Sequence, residues 1–579
     1  MYQAKEGWQF VHGTYIPPCD KNPNDALLMV IKNKETEEVK MQCLRNPRIK
    51  VWLTKPSMRN YEERIENIPL TAVDEYICSY KNLITEIAEH LGYRSGKFVN
   101  PRSILASPYV FGVDIDPLVR AKIEYQQTTP GLVNHLTFGT YDLECDITEK
   151  YGCGILCSSF VDWYRKEAYC HVDARWYDPQ DGWEEKIMAL FEEKKQFAYS
   201  QMNEKAKKLF EPEKWKVKFV MCKNERELIQ KTWETIHRSK VLFLGIWNMS
   251  YDIPKTIERA QFNQLNLEDL FSSPDVPPEW RHFAFFEDTR KHEHYTDAWS
   301  FCSMSAYCWI LDLMCLYSRT RKVKGRESSY TLTYISNKIS GIGKIGLEDT
   351  GDHFTMQTKY KPQYCVYNVF DSIITALINA MTDDISGMLA TQGPSLIRDL
   401  NKQTVSLTHQ FYKYCLEHNQ VPGSAGRVLM KGPYDDAIGN VGGAVLDSNK
   451  LKIKGWPCIQ EYPDGTWLRK LCCDIDVSSF YPSMDIAGNM SRATKLSTVI
   501  WVEGSPFAVE DILSAGSDNE QEMMRKKNAE YIDTLFGKIP YVSENCVSVS
   551  HDYFNLFSYS DALDLYEAER QKAMNNQHL

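Results

Sequence analysis

The run His135-Leu-Thr-Phe-Gly-Thr-Tyr-Asp-Leu-Glu-Cys-Asp146 sets the sharpest condition on how this chain can fold. Read as a strand, with a side-chain period of two, it puts Leu136, Phe138, Thr140, Asp142 and Glu144 on one face. That face starts apolar and ends in two neighbouring carboxylates. Burying such a pair is costly unless a cation neutralises it, and hard oxygen ligands suit Mg²⁺ or Mn²⁺. Asp-x-Glu also recurs by chance in any acidic chain, so its meaning depends on what stands downstream.

Downstream, Lys240-Val-Leu-Phe-Leu-Gly-Ile-Trp247 is an uninterrupted apolar run of the kind that makes a strand buried on both faces. Asn248-Met-Ser-Tyr-Asp252 follows, with Pro254 opening a helix through Arg259. Asp252 is thereby expected between a strand end and a helix start, where capping is the simplest role. Tyr364 to Met381 predicts a helix with Val366, Phe370, Ile373, Leu377 and Met381 as its core stripe. Tyr367 and Asp371, four apart, share a face at the rim of that stripe. Asp142, Glu144, Asp252 and Asp371, with Tyr367, form a set able to hold two divalent ions about 3.5–4 Å apart. Such a pair clamps the attacking and leaving oxygens of an in-line phosphodiester displacement. Asp142 is the bridging candidate; Glu144 and Tyr367 would orient or deprotonate the attacking water.

The rest of the chain adds organisation. At 579 residues it exceeds what one core supports, so three or more domains are expected. The net charge of −10 leaves DNA contact to local basic patches. One is Arg319, Arg321, Lys322, Lys324 and Arg326, either a solvated surface or a grip on phosphates. The 17 Cys, without regular spacing, read as reduced and mostly buried thiols. No run approaches the ~20 apolar residues of a membrane span, and the start carries no apolar leader. Asp114 and Asp116, before Pro117, read as structural, and His292 and His294 as solvent-facing. Ser79 is a candidate cap for a helix carrying Leu83, Ile84, Ile87 and Leu91, and Ser328 or Ser329 for one carrying Leu332, Ile335 and Ile339. Glu184–Phe210 reads as one charged helical stretch, 271–300 as an inserted loop or hairpin, and Asn419-Gln-Val-Pro-Gly423 as a turn after a helix near Leu396–His418.

Asp142-x-Glu144, Trp247-Asn-Met-Ser-Tyr-Asp252 and Tyr367-Asn-Val-Phe-Asp371, in that order, resemble the three exonuclease motifs of the proofreading domain of family B DNA polymerases. Further on, Asp474-Ile-Asp476-Val-Ser-Ser-Phe-Tyr-Pro-Ser483 is similar to motif A of the same family, and Asn489-Met-Ser491 to its T4-like phage members. The resemblance implies an RNase H-like 3′–5′ exonuclease domain, within an α/β and α+β multidomain chain that also has an N-terminal mixed domain and part of a polymerase palm. It places these at 131–383, at 1–130 with a return at 384–430, and at 431–579. It implies two Mg²⁺ or Mn²⁺ ions on Asp142, Glu144, Asp252 and Asp371, and Asn248 as a substrate contact. In the palm it implies Asp476 and Val477 as metal ligands, with backbone N–H groups of Ser479, Phe480 and Tyr481 cradling a dNTP. Gly442 and Gly443 resemble the segment linking exonuclease to polymerase. Phe480 stands where the family usually has Leu, and Met574 where a phosphate-binding cation is expected.

The second carboxylate strand, Tyr-Gly-Asp-Thr-Asp, and the fingers helix Lys-x-x-x-Asn-Ser-x-Tyr-Gly do not occur in the sequence. The implied protein is the N-terminal subunit of a split polymerase, acting on single-stranded and primer-template DNA. A second subunit would carry the remaining palm, fingers and thumb, and share the polymerase-site Mg²⁺. The implied location is the host cytoplasm during phage infection, away from membranes. Two alternatives stay open: a stand-alone 3′–5′ exonuclease with a vestigial polymerase segment, and a non-catalytic DNA-binding or scaffold subunit.

Overall fold

A computed structural model describes residues 4–59, 67–93, 104, 107–343, 345 and 352–423, and farther on 459–461, 467–469, 506–507, 509–536, 547–548 and 555–556. The chain divides into two compact units, Met1–Gly439 and Asn440–Leu579.

The first unit opens with an antiparallel sheet of β1 (Trp8–Ile16), β2 (Ala26–Asn33) and β3 (Val39–Arg45). The run Leu27-Leu-Met-Val-Ile31 makes β2 its buried centre. In a second sheet β4 (Arg48–Thr54) pairs with β6 (Val73–Ser79) and β7 (Val110–Phe111), after the short β5 (Asn67–Pro69). Helix α1 (Leu83–His90) starts after Asn82, so Ser79 is the end of a strand and not a cap. Its N–H is held by the Glu86 carboxylate at 2.9 Å. Asp116 caps α2 (Pro117–Thr128), accepting from the Leu118 N–H at 2.7 Å.

The chain then builds a six-stranded mixed sheet. Strands β8 (Phe138–Cys145), β9 (Ile155–Asp162) and β10 (Glu167–Asp173) form an antiparallel meander, and β11 (Lys216–Cys222) joins β10 in parallel. On the other side of β8, β12 (Phe243–Ile246) and β15 (Trp309–Asp312) run parallel to it. The hairpin β13 (Phe283–Phe286) and β14 (Phe301–Met304) lies between them in sequence. All of β12 is buried, as its apolar run requires. Gly245 is placed where an added Cβ would run into the Leu313 side chain.

Helices cover both faces of this sheet. On one face Tyr141 of β8 meets Thr256 of α5 (Met249–Phe262) at 3.0 Å, and Ser158 of β9 meets Thr232 of α4 (Glu225–Ser239) at 2.6 Å. The charged stretch before them is broken: α3 (Trp183–Gln201) ends, and Asn203 caps a separate helix, Glu204–Phe210. Beyond β15 come α6 (Leu313–Thr320), α7 (Leu332–Ser340) and α8 (His353–Lys359). Thr331, not Ser328 or Ser329, caps α7 through the Tyr334 N–H. The opposite face is spanned by α9 (Lys361–Thr382), of whose 22 residues 17 are buried. Thr140 donates to the Ser372 carbonyl at 2.7 Å and Ser159 to the Asn368 carbonyl at 2.9 Å, seating α9 on β8 and β9. At 22 residues and mean hydropathy 1.2, α9 has the length and composition of a membrane span, yet 89% of its apolar window is buried within the fold.

The chain then crosses back to its beginning. After α10 (Gln403–Glu417), Gln420–Pro422 is a strand, β16, antiparallel to β5, where a turn was expected. The turn is made by His418 and Asn419, the latter at φ 56°. His292 and His294 are half-buried rather than solvent-facing: His292 lies 3.1 Å from Asp288, and His294 pairs with Thr296 at 2.8 Å. The basic run is drawn onto acids, with Arg321 on Asp384 and Arg326 on Asp297, both at 2.9 Å. In the second unit Ile459–Glu461 pairs with Trp467–Arg469, and Asp518–Phe536 is its long helix.

A buried ion pair ties α4 to α5. Arg259 grips Glu225 with two bonds of 2.7 Å, and Glu225 also accepts from Asn263 and the Ile155 N–H. Burial works against this carboxylate, but these bonds hold it below the usual range. Removing Arg259 would strand a buried charge. Arg259→Ala should therefore cost about 3–5 kcal/mol in urea unfolding, and a loss below about 1 kcal/mol would mean the pair behaves like a surface bridge.

Candidate functional site

Oxygens of Asp142 and Glu144 on β8 and of Asp371 on α9 all lie within 4.8 Å of one another. The first two are half-buried and Asp371 is buried. Their meeting has a simple origin. Alternate residues of β8 face α9, while Tyr364, Tyr367, Asn368 and Asp371 recur at i, i+3, i+4 and i+7, one face of a helix. Tyr364 donates to Glu144 Oε2 at 2.5 Å, and Asn368 Nδ2 to Asp142 Oδ2 at 2.6 Å. Tyr367 donates to Asp371. Each carboxylate thus receives a neutral donor from the same helix face.

A second ring of contacts holds the donors. Gln357 of α8 donates to the Tyr364 hydroxyl at 2.9 Å and to the Cys145 carbonyl at 2.6 Å, and accepts from the Ile147 N–H at 3.1 Å. The Tyr364 and Tyr367 rings stack with centroids 6.0 Å apart, and His353 stands edge-on to both. Tyr367 is fully buried and not on the rim of the helix stripe, because α9 is covered all round.

Burial, then the charges of Asp371, Glu144 and Asp142, push the Tyr367 phenol far above its ordinary range. It keeps its proton at any working pH, so it can orient a water but cannot deprotonate one. Tyr364 is raised in the same way, by burial and then Glu144.

Asp252 stands outside the group within 4.8 Å but feels the charge of Asp142. Burial, then Asp142 and Asp312, raise its carboxyl well above the usual range. The helix that carries it begins at Met249, with Pro254 inside, so Asp252 sits in the first turn and not at the cap. Pro254 forgoes only one early backbone bond there. The capping position belongs to Asn248, exposed and at φ 90°, in the left-handed region that Asn enters more readily than most side chains. Gly442, Gly443, Asp476, Val477, Ser479, Phe480 and Tyr481 lie outside the described residues.

Four further residues shape the site: Tyr364, Asn368, Gln357 and Asp312. Asp312 ends β15 and accepts from the N–H groups of Met249 and Cys315, both at 2.8 Å, which fixes the start of α5 beside it. The first two were detectable, since polar residues at i, i+3, i+4 and i+7 interrupt an otherwise apolar helix.

The donor set consists of carboxylate oxygens alone, which fits a hard divalent cation. Such an ion would also relieve the like-charge crowding that raises Asp252. No protein-family model matches the chain, and no curated protein matches it.

The Asp252 shift has a measurable sign. A raised carboxyl keeps its proton in the native chain after the unfolded chain has lost it, so stability falls as pH rises from about 4 towards the raised value. Asp252→Asn holds the neutral form throughout. In chelator, the variant should gain on the wild type as pH rises above about 4, by at most about 1.4 kcal/mol per pH unit in parallel urea titrations. A difference independent of pH would mean that Asp252 is ionised from the start.

Proposed function

We propose that this chain carries the 3′–5′ exonuclease and part of the polymerase palm of a family B DNA polymerase of T4-like phage type, and that the carboxylate site releases mononucleotides from DNA 3′ ends. The observation that carries this reading is that Asp-x-Glu and Tyr-x-x-x-Asp, far apart in sequence, bring three carboxylates within 4.8 Å. A mixed sheet with the acidic strand in its interior supports the RNase H-like domain implied by the motifs. Bound as a pair by Asp142, Glu144, Asp371 and Asp252, Mg²⁺ or Mn²⁺ would supply Lewis-acid stabilisation of the charge that develops on the scissile phosphate. The chain's own groups do the rest. Tyr367, protonated and pinned on Asp371, aims the attacking water, and Glu144, turned by Tyr364, accepts its proton. Asn248, exposed at the β12–α5 corner, would contact the 3′ end of the DNA. Asp476 and Val477 would hold Mg²⁺ together with the opposite palm strand, Ser479, Phe480 and Tyr481 would hold the dNTP, and Gly442 and Gly443 would allow the approach of primer-template DNA.

Asp142→Ala combined with Glu144→Ala should abolish metal-dependent mononucleotide release from single-stranded DNA while circular dichroism stays native; undiminished release would sink the assignment. Tyr367→Phe, which removes orientation alone, should slow hydrolysis by roughly 10²-fold or less. A variant as inactive as Asp371→Ala would give Tyr367 a larger role.

The polymerase half has its own test. One carboxylate without its opposite strand cannot hold two Mg²⁺ ions against a triphosphate. Primer extension should be absent for the 579-residue chain alone and appear, dependent on Asp476, when a polypeptide carrying the opposite palm strand is added. Templated synthesis by these 579 residues alone would overturn the reading of Asp476 as half of a polymerase site.

A further inference from the structure

We infer that Cys157, Cys170 and Cys365 form a second metal site, a three-thiolate site for a zinc-class cation, behind the carboxylates and separate from them. The three sulfurs lie within 4.8 Å of one another and all three residues are fully buried. They come from three elements. Cys157 on β9 and Cys170 on β10 are diagonal neighbours, since Cys157 pairs with Val172 and Cys170 with Ser159. Cys365 reaches them from α9 and follows Tyr364 directly. Around one ion with Zn–S bonds of about 2.3 Å, three sulfurs stand about 3.8–4 Å apart, so the group has to close by less than about 1 Å.

Core packing alone asks only for small apolar side chains at these positions, and does not require three sulfurs to meet. Ligand softness keeps the two sites distinct: carboxylates select Mg²⁺ and Mn²⁺, thiolates select Zn²⁺ and its relatives. Glu144 pairs with Cys157 across β8 and β9, so an ion on the sulfurs would lock the strand and helix that present the carboxylates.

The probe is Co²⁺, whose bond to sulfur gives a charge-transfer band that carboxylate-bound Co²⁺ lacks. Titrating the reduced full chain should produce this band with one equivalent saturating the three-cysteine site, and equimolar Zn²⁺ should remove it. Cys157→Ala, Cys170→Ala and Cys365→Ala should each lose that equivalent, whereas the Asp142→Ala, Glu144→Ala double variant, inactive as an exonuclease, should keep it. Zn²⁺ should raise the melting temperature of the wild type and leave Cys170→Ala unmoved. A wild-type chain that shows no sulfur band refutes the site whatever the variants do. A band that survives all three substitutions belongs to other cysteines and refutes it equally.

Discussion

Four carboxylates drawn towards one another are the constraint around which this fold is built. Asp142, Glu144 and Asp371 crowd within 4.8 Å, and burial together with the charges of Asp142 and Asp312 raises the Asp252 carboxyl well above its usual range. Like charges in a half-buried place repel strongly because little water screens them. The protein answers with neutral donors, Tyr364, Asn368 and Tyr367, one for each carboxylate of the close group. Neutral donors orient charge without cancelling it, so a divalent cation is the partner the arrangement is shaped to accept.

That answer dictates how α9 is held. Its donors reach β8 only if the helix lies flush on the sheet, and hydrogen bonds from Thr140 and Ser159 to its carbonyls fasten it there. The helix is consequently buried on nearly every side, which explains a composition apolar enough to suit a membrane. On the opposite face the Glu225–Arg259 pair anchors α5, the helix that delivers Asp252. The oxygen and sulfur clusters then share α9 and neighbouring positions of β8 and β9. Asp371 and Cys365 are kept apart by nearly two turns of helix, while Glu144 and Cys157 stand opposite each other across β8 and β9.

Much of the carboxylate site was legible in the amino-acid order. A period of two assigned Asp142 and Glu144 to one face of a strand, an uninterrupted apolar run marked β12 as buried, and a spacing of four put Tyr367 beside Asp371. Element ends were less legible. Thr331 caps α7 where two serines stood nearby, and α5 starts before Asp252 with Pro254 inside it. Capping choices among neighbouring polar residues differ by little energy, so the surrounding packing selects among them.

Periodicity within one element is a local property of the backbone, and the sequence alone therefore determined which side chains share a face of β8 and of α9. Which faces meet is not local. Only the packing of α9 across the sheet paired Tyr364 with Glu144 and Asn368 with Asp142, and brought three cysteines from positions 157, 170 and 365 together. Those contacts join residues as far as 226 positions apart, and nothing in their spacing encodes them. They follow from burying apolar surface over the whole core, which fixes where each helix lies before any polar pair can form.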